Sequence, residues 1–275
     1  MKKTLFCLVV LTLSSMATFA QHTADEIAKK VANPISSMVS VPFQFNFQFN
    51  INNAEGGENG YRMVMNLQPI IPVKLSGKFN LINRVIVPVT TQKDVTARNQ
   101  KEEGLGDILY TGFISSSFAK VIWGFGPVVS IPLATNEALG TRKLAIGPGL
   151  IILGQPRNWT IGCLVNQLWT AAGDKSRADV NAALVQPFIS HQFKGGFSAG
   201  IASENTYDWD SKRLVTGLAS INLSQIIKIA AKQIASIQFS PLVFYGNANS
   251  MKPTWGARTT LTFIFLKKTK NITQN

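Results

Sequence analysis

Residues 43–52 read FQFNFQFNIN, and this strict alternation constrains the fold of the chain more than any other feature. Every odd position is apolar, and every even position carries an amide side chain. Successive side chains of a β-strand point to opposite faces, so the stretch predicts a strand with one apolar face and one wet face. Two environments suit the apolar face: the core of a soluble sandwich, or lipid around a barrel whose amides line a wet interior.

The same two-residue period recurs through most of the chain, without a sustained helical period between the segments. The twelve segments are 41–53, 61–72, 79–90, 106–116, 121–133, 143–154, 159–170, 180–193, 197–208, 214–229, 234–246 and 255–266. Short turns follow the even-numbered segments, and mostly longer loops follow the odd-numbered ones. That alternation, with an even strand count, is typical of an outer-membrane barrel. The sequence therefore predicts an all-β fold, an antiparallel transmembrane β-barrel of about twelve strands with a short N-terminal helix.

The N-terminus predicts export. Two lysines precede a short apolar run and a small-residue stretch that ends at Ala20, which is the pattern of a cleaved signal peptide. Asn33-Pro34 ends the one helical candidate, 24–32, for which two roles stay open: a plug or gate of the barrel, and a solvated leader. The predicted organisation is a signal peptide (1–20), a periplasmic N-terminal segment with the helix (21–40), the barrel (41–266) and a soluble C-terminal tail (267–275).

The aromatic residues support the lipid environment. All 5 tryptophans lie at or near segment ends, where a barrel carries its aromatic girdles. Trp159 and Trp169 bracket one segment, and ten tilted strand residues rise about 25 Å, the height of a lipid-facing band. The predicted girdle residues are Tyr61, Trp123, Trp159, Trp169, Tyr207, Trp209, Tyr245 and Trp255. The apolar face of residues 43–52 is therefore predicted to meet lipid.

Prolines inside the predicted strands are the feature that fits a barrel least well. Proline has no N–H for a strand ladder, and a closed barrel has no edge strand on which to place it. The interior prolines are Pro69, Pro127, Pro148, Pro187 and Pro241. We expect them to mark bulges or kinks, with Gly126-Pro127 and Gly147-Pro148-Gly149 on neighbouring strands as the leading pair.

The formal net charge of +13 is distributed unevenly. The predicted periplasmic turns carry lysine and arginine without acids, whereas the outward loops mix both signs. Two interpretations of this rim stay open: ordinary solvated loops, and a surface that bridges divalent cations to lipopolysaccharide phosphates. The expected partners are outer-membrane lipid and lipopolysaccharide, the barrel assembly machinery and a small-molecule solute. Nucleic acid is not expected for an exported chain, and the barrel is predicted to be a monomer.

The inward faces of the strands predict the functional surface. The candidate lumen-lining residues are Gln44, Asn46, Gln48, Asn50, Arg62, Asn66, Gln68, Arg84, Glu204, Asn222, Lys228 and Arg258. Its cations outnumber its acid, and pore charges bias which ion enters, so we expect a passive channel with a mild preference for anionic or polar solutes. The alternative is a closed structural barrel that transports nothing. A closed barrel predicts that Glu204 pairs with one of the arginines, whereas a pore predicts water between them.

Enzyme motifs give no support for catalysis, and neither a cofactor nor a metal site is expected. Residues 196–200 match G-x-S-x-G, but the stretch opens a strand and no histidine follows Ser198. An outer-membrane lipid hydrolase is kept as a minor alternative, because His191 lies in a predicted strand. Ser190 falls on the opposite face of that strand, and the H-x-S arrangement of such hydrolases is absent.

Several runs resemble one known family in order and spacing. They are NPISS (33–37), VPFQ (41–44), NLQPIIP (66–72), NRVIVPV (83–89), GLGDI (104–108), GFGPV (124–128), LGTRKLAIGPG (139–149), AAGDKSRADVN (171–181), QPFIS (186–190) and TYDW (206–209). The family is labelled MetA-pathway of phenol degradation, and its members often carry the label neuromedin U. The resemblance implies an outer-membrane β-barrel with a suggested role in the uptake of small compounds, aromatic ones among them. It supplies no catalytic residues.

Overall fold

The computed structural model describes residues 24–53, 57, 59–116, 121–229, 233–247 and 251–266. The strands form one antiparallel sheet that closes into a barrel, because the last strand pairs with the first. They are β1 (Val39–Ile51), β2 (Gly60–Leu67), β3 (Ile70–Lys74), β4 (Phe79–Lys93), β5 (Lys101–Leu105), β6 (Ile108–Ser116), β7 (Val121–Ile131), β8 (Lys143–Gly154), β9 (Trp159–Gly173), β10 (Asn181–Gln192), β11 (Phe197–Asp208), β12 (Arg213–Lys228), β13 (Ile234–Tyr245) and β14 (Trp255–Phe265). The predicted signal peptide and C-terminal tail lie outside the described residues.

The circumference of the barrel is twelve strands, although fourteen strands are described. Two pairs of strands each lie end to end and take the position of one strand in the wall. β2 and β3 both lie between β1 and β4 and are separated only at Gln68 and Pro69. β5 and β6 both pair with β4. The predicted count of twelve is thus confirmed. The assignment of residues 101–105 to a loop was wrong, because KEEGL continues the wall with Glu102 buried and its charged neighbours exposed.

The prolines interrupt the strand ladders without shifting them. Pairing lapses beside Pro127 (β6–β7), Pro148 (β8–β9), Pro187 (β10–β11) and Pro241 (β12–β13), and it resumes beyond each in the same register. On their other sides the ladders continue, and Pro127 lies directly opposite Pro148. The predicted neighbouring pair is confirmed. The predicted bulges were wrong, because a missing N–H removes hydrogen bonds on one side of a strand without inserting a residue.

The alternation of apolar and amide residues that begins at Phe43 holds along β1 as far as Gln48. Asn46 is buried at 5% exposure and Phe47 is exposed at 37%, so the amides face the interior and the phenylalanines face outwards. The register then shifts between Gln48 and Ile51, where Asn50 takes a φ of 50°. As a result Ile51 is fully buried and Asn50 is exposed, the reverse of what alternation predicts. Asparagine tolerates this left-handed conformation better than most residues.

The barrel interior is divided into an apolar and a polar part. On one side, Ile35 of the N-terminal segment and inward side chains of β4 and β6–β9 form a buried hydrophobic cluster, which comprises Ile35, Ile82, Phe113, Val128, Ile151, Leu153 and Leu164. On the other side, β1, β2, β4 and β11–β14 contribute amides and charged residues. Part of the interior is therefore a packed core, as in small filled barrels, and none of the predicted lumen-lining residues lies on β6–β9.

The N-terminal segment closes one end of the barrel. The helix at residues 24–31 packs through Ile27 against Met38 and Ile264. Its hydrogen bonds reach the short turns: Gly196 N donates to Asp25 Oδ1 at 2.8 Å, and Gln155 Nε2 donates to the Lys29 carbonyl at 2.8 Å. The helix is therefore docked at the short-turn end. Nowhere in the described part of the chain is a helix long and apolar enough to cross a membrane.

Candidate functional site

A ladder of amides covers the polar side of the interior near β1. Gln44 Oε1 accepts hydrogen bonds from Asn66 Nδ2 at 3.2 Å and from Gln68 Nε2 at 3.1 Å. Asn46 Nδ2 donates to the same oxygen at 3.4 Å and to the Val64 carbonyl at 3.1 Å. The cause is local, since these residues occupy inward positions of neighbouring strands in register. The structure thus brings the predicted amides into one network.

An ion pair crosses the lumen at the level of Asn46. Arg258 on β14 donates from Nη1 to Glu204 Oε1 on β11 at 2.6 Å, although two other strands separate these strands in the wall. Arg258 Nε also donates to Asn46 Oδ1 at 2.6 Å. The Arg258 side chain is 11% exposed and that of Glu204 is 30% exposed. The sequence analysis expected this pairing in a closed barrel. The ion pair constricts the lumen at this level.

Arg84 lies beside the constriction with a weaker set of partners. Its Nη2 donates to Gln68 Oε1, and its buried Nε has no protein partner among the described residues. Three further buried inward atoms lack a protein partner in the described chain: Gln48 Oε1, Asn166 Oδ1 and Thr260 Oγ1. Buried polar atoms ordinarily hydrogen-bond to protein or water. On the polar side, Arg84 Nε, Gln48 Oε1 and Thr260 Oγ1 are therefore contact points for water or a solute, whereas Asn166 lies beside the packed cluster.

A vestibule lies on the long-loop side of the constriction. It encloses about 460 Å³ and is lined by Gln48, Arg62, Gln92 and Lys252, among others. Arg62 Nε donates to Gln92 Oε1 at 2.6 Å, and Gln92 Nε2 donates to Glu102 Oε2 at 3.4 Å. The sequence-based prediction missed Gln92 and Glu102, because it ended the third segment at residue 90 and left residues 91–105 as a loop. Continued alternation past residue 90 was the signal that could have found them.

A second cavity lies on the helix side. It encloses about 210 Å³ between the helix and β10–β13, with Val31, Pro34, Ser190, Ser198 and Asn222 among its lining residues. Ser240 Oγ donates to Asn222 Oδ1 at 2.7 Å, and Gln238 Nε2 donates to Ser240 Oγ at 3.0 Å. Hydrogen-bonded side chains, including the Arg258–Glu204 pair, therefore lie between two cavities on the polar side of the barrel.

Two predicted lumen residues lie away from this network. Lys228 is exposed at the end of β12, beside the short-turn end. Asn50 is exposed at the opposite end, because of the register shift in β1. Both remain close to the entrances but do not contact the constriction, since strand ends leave the barrel interior.

The predicted girdle residues lie on the outer face at the strand ends. Trp159 packs against the His191 ring with centroids 4.7 Å apart, and Trp255 packs against Phe49 at 4.6 Å. Tyr207 and Trp209 stack edge to face at 4.8 Å. Tyr61, Trp123, Trp169 and Tyr245 are exposed in the same way. Such rings suit a boundary that is apolar on one side and wet on the other.

The rim charges pair mainly with each other. Lys143 Nζ contacts Asp179 Oδ1 at 2.8 Å, and Arg142 contacts both Asp174 and Glu137. The hydrogen bond from Lys143 lowers the pKa of the Asp179 carboxyl below its ordinary value. Hydrogen bonds from Ser176 do the same for the pKa of Asp174. These carboxylates are therefore already neutralised by partners on the chain.

Among the described residues, the strand histidine His191 has no serine nucleophile within hydrogen-bond reach. His191 faces outwards between Trp159 and Phe193, with ring distances of 4.7 and 4.5 Å. Ser190 lines the inner cavity instead, and its Oγ accepts a hydrogen bond from Gln192 Nε2 at 3.0 Å. Because a serine nucleophile needs a base within hydrogen-bond reach, this pair does not form a hydrolase site.

Comparisons with known proteins show the fold. No family model matches the chain, and no curated protein matches it, so the resemblance to the MetA-pathway family stays a prediction. Among solved structures, the COG4313 outer membrane channel from Pseudomonas putida F1 is similar over 83% of this chain and 94% of its own, at 13% identity and a TM-score of 0.61. This chain therefore has a closed, twelve-stranded antiparallel β-barrel fold of the outer-membrane type.

Two further structures align at lower similarity. Outer membrane phospholipase A from Escherichia coli is 11% identical over 88% of this chain and 98% of its own, with a TM-score of 0.47. A FadL homologue from Pseudomonas aeruginosa is 8% identical over 83% of this chain and 89% of its own, with a TM-score of 0.35.

Proposed function

We propose that this protein is an outer-membrane β-barrel channel for the passive uptake of small polar or anionic solutes, and that its N-terminal helix closes it at rest. One observation carries the proposal: the polar side of the lumen holds two cavities separated by hydrogen-bonded side chains. The Arg258–Glu204 pair is the one expected of a closed barrel, and in this proposal it belongs to the closed state of a channel whose polar side is not filled by a hydrophobic core. Side chains that hold one another by hydrogen bonds can exchange those bonds for contacts with a passing solute.

The outer face supports a position in the outer membrane. Its strands expose isoleucine, phenylalanine and valine, and exposed aromatic rings lie at the strand ends. Lipid requires such a face, and a closed barrel pairs the backbone groups that cross it, apart from those beside the strand prolines. An exported chain with this fold fits the outer membrane, where lipopolysaccharide and the barrel assembly machinery are the expected partners of the monomer.

The balance of charge supports a preference for anions. Arg258 is paired with Glu204, and Arg62 is linked through Gln92 to Glu102. Arg84 forms no ion pair with a carboxylate in the described chain, so the constriction keeps a net positive charge. Charged rings and patches of this kind select ions in pores. An aromatic carboxylate is a fitting solute, because it would meet both the arginines and the neighbouring apolar cluster.

The helix supplies the gate in this proposal. Ile27 is 3% exposed in its contact with Met38 and Ile264, whereas Lys30 on the same helix is exposed. The interface between the helix and the barrel is small, and it combines this apolar contact with a few hydrogen bonds to the short turns. Loss of the apolar contact should therefore release the helix while the barrel stays folded.

Single-channel recording in a planar bilayer tests the proposal. We expect the Ile27→Asp variant to conduct in discrete steps under a KCl gradient and to be open more often than the unmodified protein. Lys30→Ala is the matched control and should behave like the unmodified protein. Heat-modifiable gel mobility establishes that each variant is folded. If folded, inserted Ile27→Asp protein never conducts, the channel proposal is wrong and the closed structural barrel replaces it.

A further inference from the structure

Three polar side chains form a hydrogen-bonded cluster on the outer face of the barrel. Ser203 and Asn205 lie on β11, and Tyr245 ends β13. Ser203 Oγ and Tyr245 Oη are 2.6 Å apart, Tyr245 Oη donates to Asn205 Oδ1 at 2.5 Å, and Asn205 Nδ2 donates to Ser203 Oγ at 2.8 Å. The Ser203–Asn205–Tyr245 cluster belongs to the apolar face, where polar groups need a reason to be present.

A glycine allows this contact between strands that are not neighbours. β12 lies between β11 and β13, and Gly217 is opposite Tyr245 in the register. A Cβ at Gly217 would lie 2.2 Å from Tyr245 Cε2, so the tyrosine ring lies flat over the glycine. Tyr207 and Trp209 follow Asn205 along the same side of the barrel. The cluster is therefore at the height of the aromatic girdle.

The hydrogen-bond donors of the cluster are all used within the protein, whereas some of its acceptor positions are free. Asn205 Nδ2 donates both to Ser203 Oγ and to the Val185 carbonyl, the latter at 3.2 Å. The single Tyr245 hydrogen goes to Asn205, so the hydrogen between Ser203 and Tyr245 belongs to the serine. Hydroxyl and amide oxygens each accept two hydrogen bonds. The free capacity of the cluster is therefore for accepting hydrogen bonds, and it suits a ligand that presents O–H groups.

An apolar groove continues from the cluster down the wall. It is an open depression of about 680 Å³ across β9–β13, and Ser203 belongs to both the groove and the cluster. Its sides are formed by exposed aliphatic residues such as Ile201, Ile221 and Val243, and Ala219 lies between them. Small residues between large ones leave a channel-shaped depression on a surface that is otherwise bulky.

We propose that this surface binds one glycolipid, with an acyl chain in the groove and sugar hydroxyls donating to the Ser203–Asn205–Tyr245 cluster. The proposal rests on the proposed membrane position of the barrel but not on conduction. An apolar groove alone would accept any lipid chain, and a polar cluster alone could be explained by the hydrogen bonds within it. Their continuity through Ser203 and the acceptor-only character of the cluster select an amphiphile with a hydroxyl-rich head.

Two detergents with the same dodecyl chain test the head-group preference. Dodecyl maltoside presents sugar hydroxyls, whereas dodecylphosphocholine has no hydrogen-bond donor. The folded protein, held in an amine-oxide detergent, is titrated with each probe, and bound molecules are counted by native mass spectrometry. We expect one maltoside to be retained about tenfold more strongly than the phosphocholine, the gain of one to two hydrogen bonds.

Variants separate the two halves of the site. Tyr245→Phe breaks the cluster and frees the Ser203 hydroxyl hydrogen as a donor, so it should reduce the preference for maltoside over phosphocholine about three- to tenfold. Ala219→Trp fills the groove and should abolish retention of both probes. Leu150→Trp places the same ring on the exposed face of β8, outside the groove, and serves as the matched control. Heat-modifiable mobility establishes that each variant is folded.

The results of these experiments distinguish failure of the glycolipid site from failure of the proposed function. Equal retention of both probes, or full retention by Ala219→Trp, overturns the glycolipid site. A chain dimer in place of a bound probe also overturns it and assigns the groove to a second copy. Protein that inserts into bilayers and conducts but retains no maltoside refutes this inference alone. Protein that folds but never inserts into bilayers refutes the proposed function as well.

Discussion

At the scale of single residues, the constriction depends on which arginine has a carboxylate. Arg258 has Glu204 and Arg62 reaches Glu102 through an amide, whereas Arg84 has an amide partner and a buried Nε without one. An unpaired charge in a region that excludes bulk water exerts a stronger field than one in water. Arg84 is therefore the residue on which ion preference should depend most.

The first prediction concerns Arg84. We expect Arg84→Glu to move the reversal potential under a KCl gradient towards that of a cation-preferring pore, because two carboxylates would then face Arg258. Lys228→Glu makes the same charge change at an exposed strand end and should leave the potential nearly unchanged. Arg84→Gln, which only removes the charge, should lie between them. Identical potentials for all three variants would show that Arg84 does not face the permeation path.

The second prediction concerns the rim carboxylate Asp179. Its pKa is lowered in the folded protein, because Lys143 donates a hydrogen bond to it. A lowered pKa contributes stability above the unfolded value, and that contribution is lost as pH falls below about 4. We expect amide hydrogen exchange of residues 174–180, corrected for intrinsic rates, to increase at acid pH. Asp179→Asn should exchange quickly at every pH. A loop whose protection does not change with pH contradicts this prediction.

At the scale of elements, alternation predicted most of the wall, and it failed where both faces are apolar. β1 alternates phenylalanine with amides, so its two faces are distinct from sequence alone. LAIGPGLIIL in β8 is apolar at nearly every position, and only the fold shows that Ile151 faces a core and Ile152 the outside. The polar network was therefore predictable near β1 and β14. The packed part of the interior could not be predicted, because a two-residue period alone cannot distinguish a lipid-facing residue from a core residue.

The third prediction concerns the N-terminal segment as an element. Ile35 is 5% exposed and packs with Phe113 and Ile151 inside the barrel. Ile35→Ala should leave a cavity and cost the docked state about 2–5 kcal/mol. We expect limited proteolysis to cleave the 24–38 segment faster in this variant while the barrel stays protease-resistant. Ser37→Ala, at an exposed position nearby, is the control. Unchanged cleavage would show that Ile35 does not anchor the segment.

At the scale of the whole molecule, the separation of the interior into two parts joins the fold to the proposed function. The packed half holds one side of the wall and the inserted segment together, as a hydrophobic core does in any domain. The hydrogen-bonded half keeps the cavities and the charges. The hydrophobic cluster and the proposed permeation path thus involve different strands, so mutations in β6–β9 should mainly affect folding and those in β1, β2 and β11–β14 should mainly affect the proposed conduction.

The divided interior has a further consequence for size selection. In the proposed channel, a solute could not occupy the side of the lumen that the hydrophobic cluster fills. It must follow an off-centre, crescent-shaped route along the β11–β14 wall. The width of that crescent, and not the circumference of twelve strands, would set the largest molecule that passes. Flat molecules would then be favoured over round ones of equal volume.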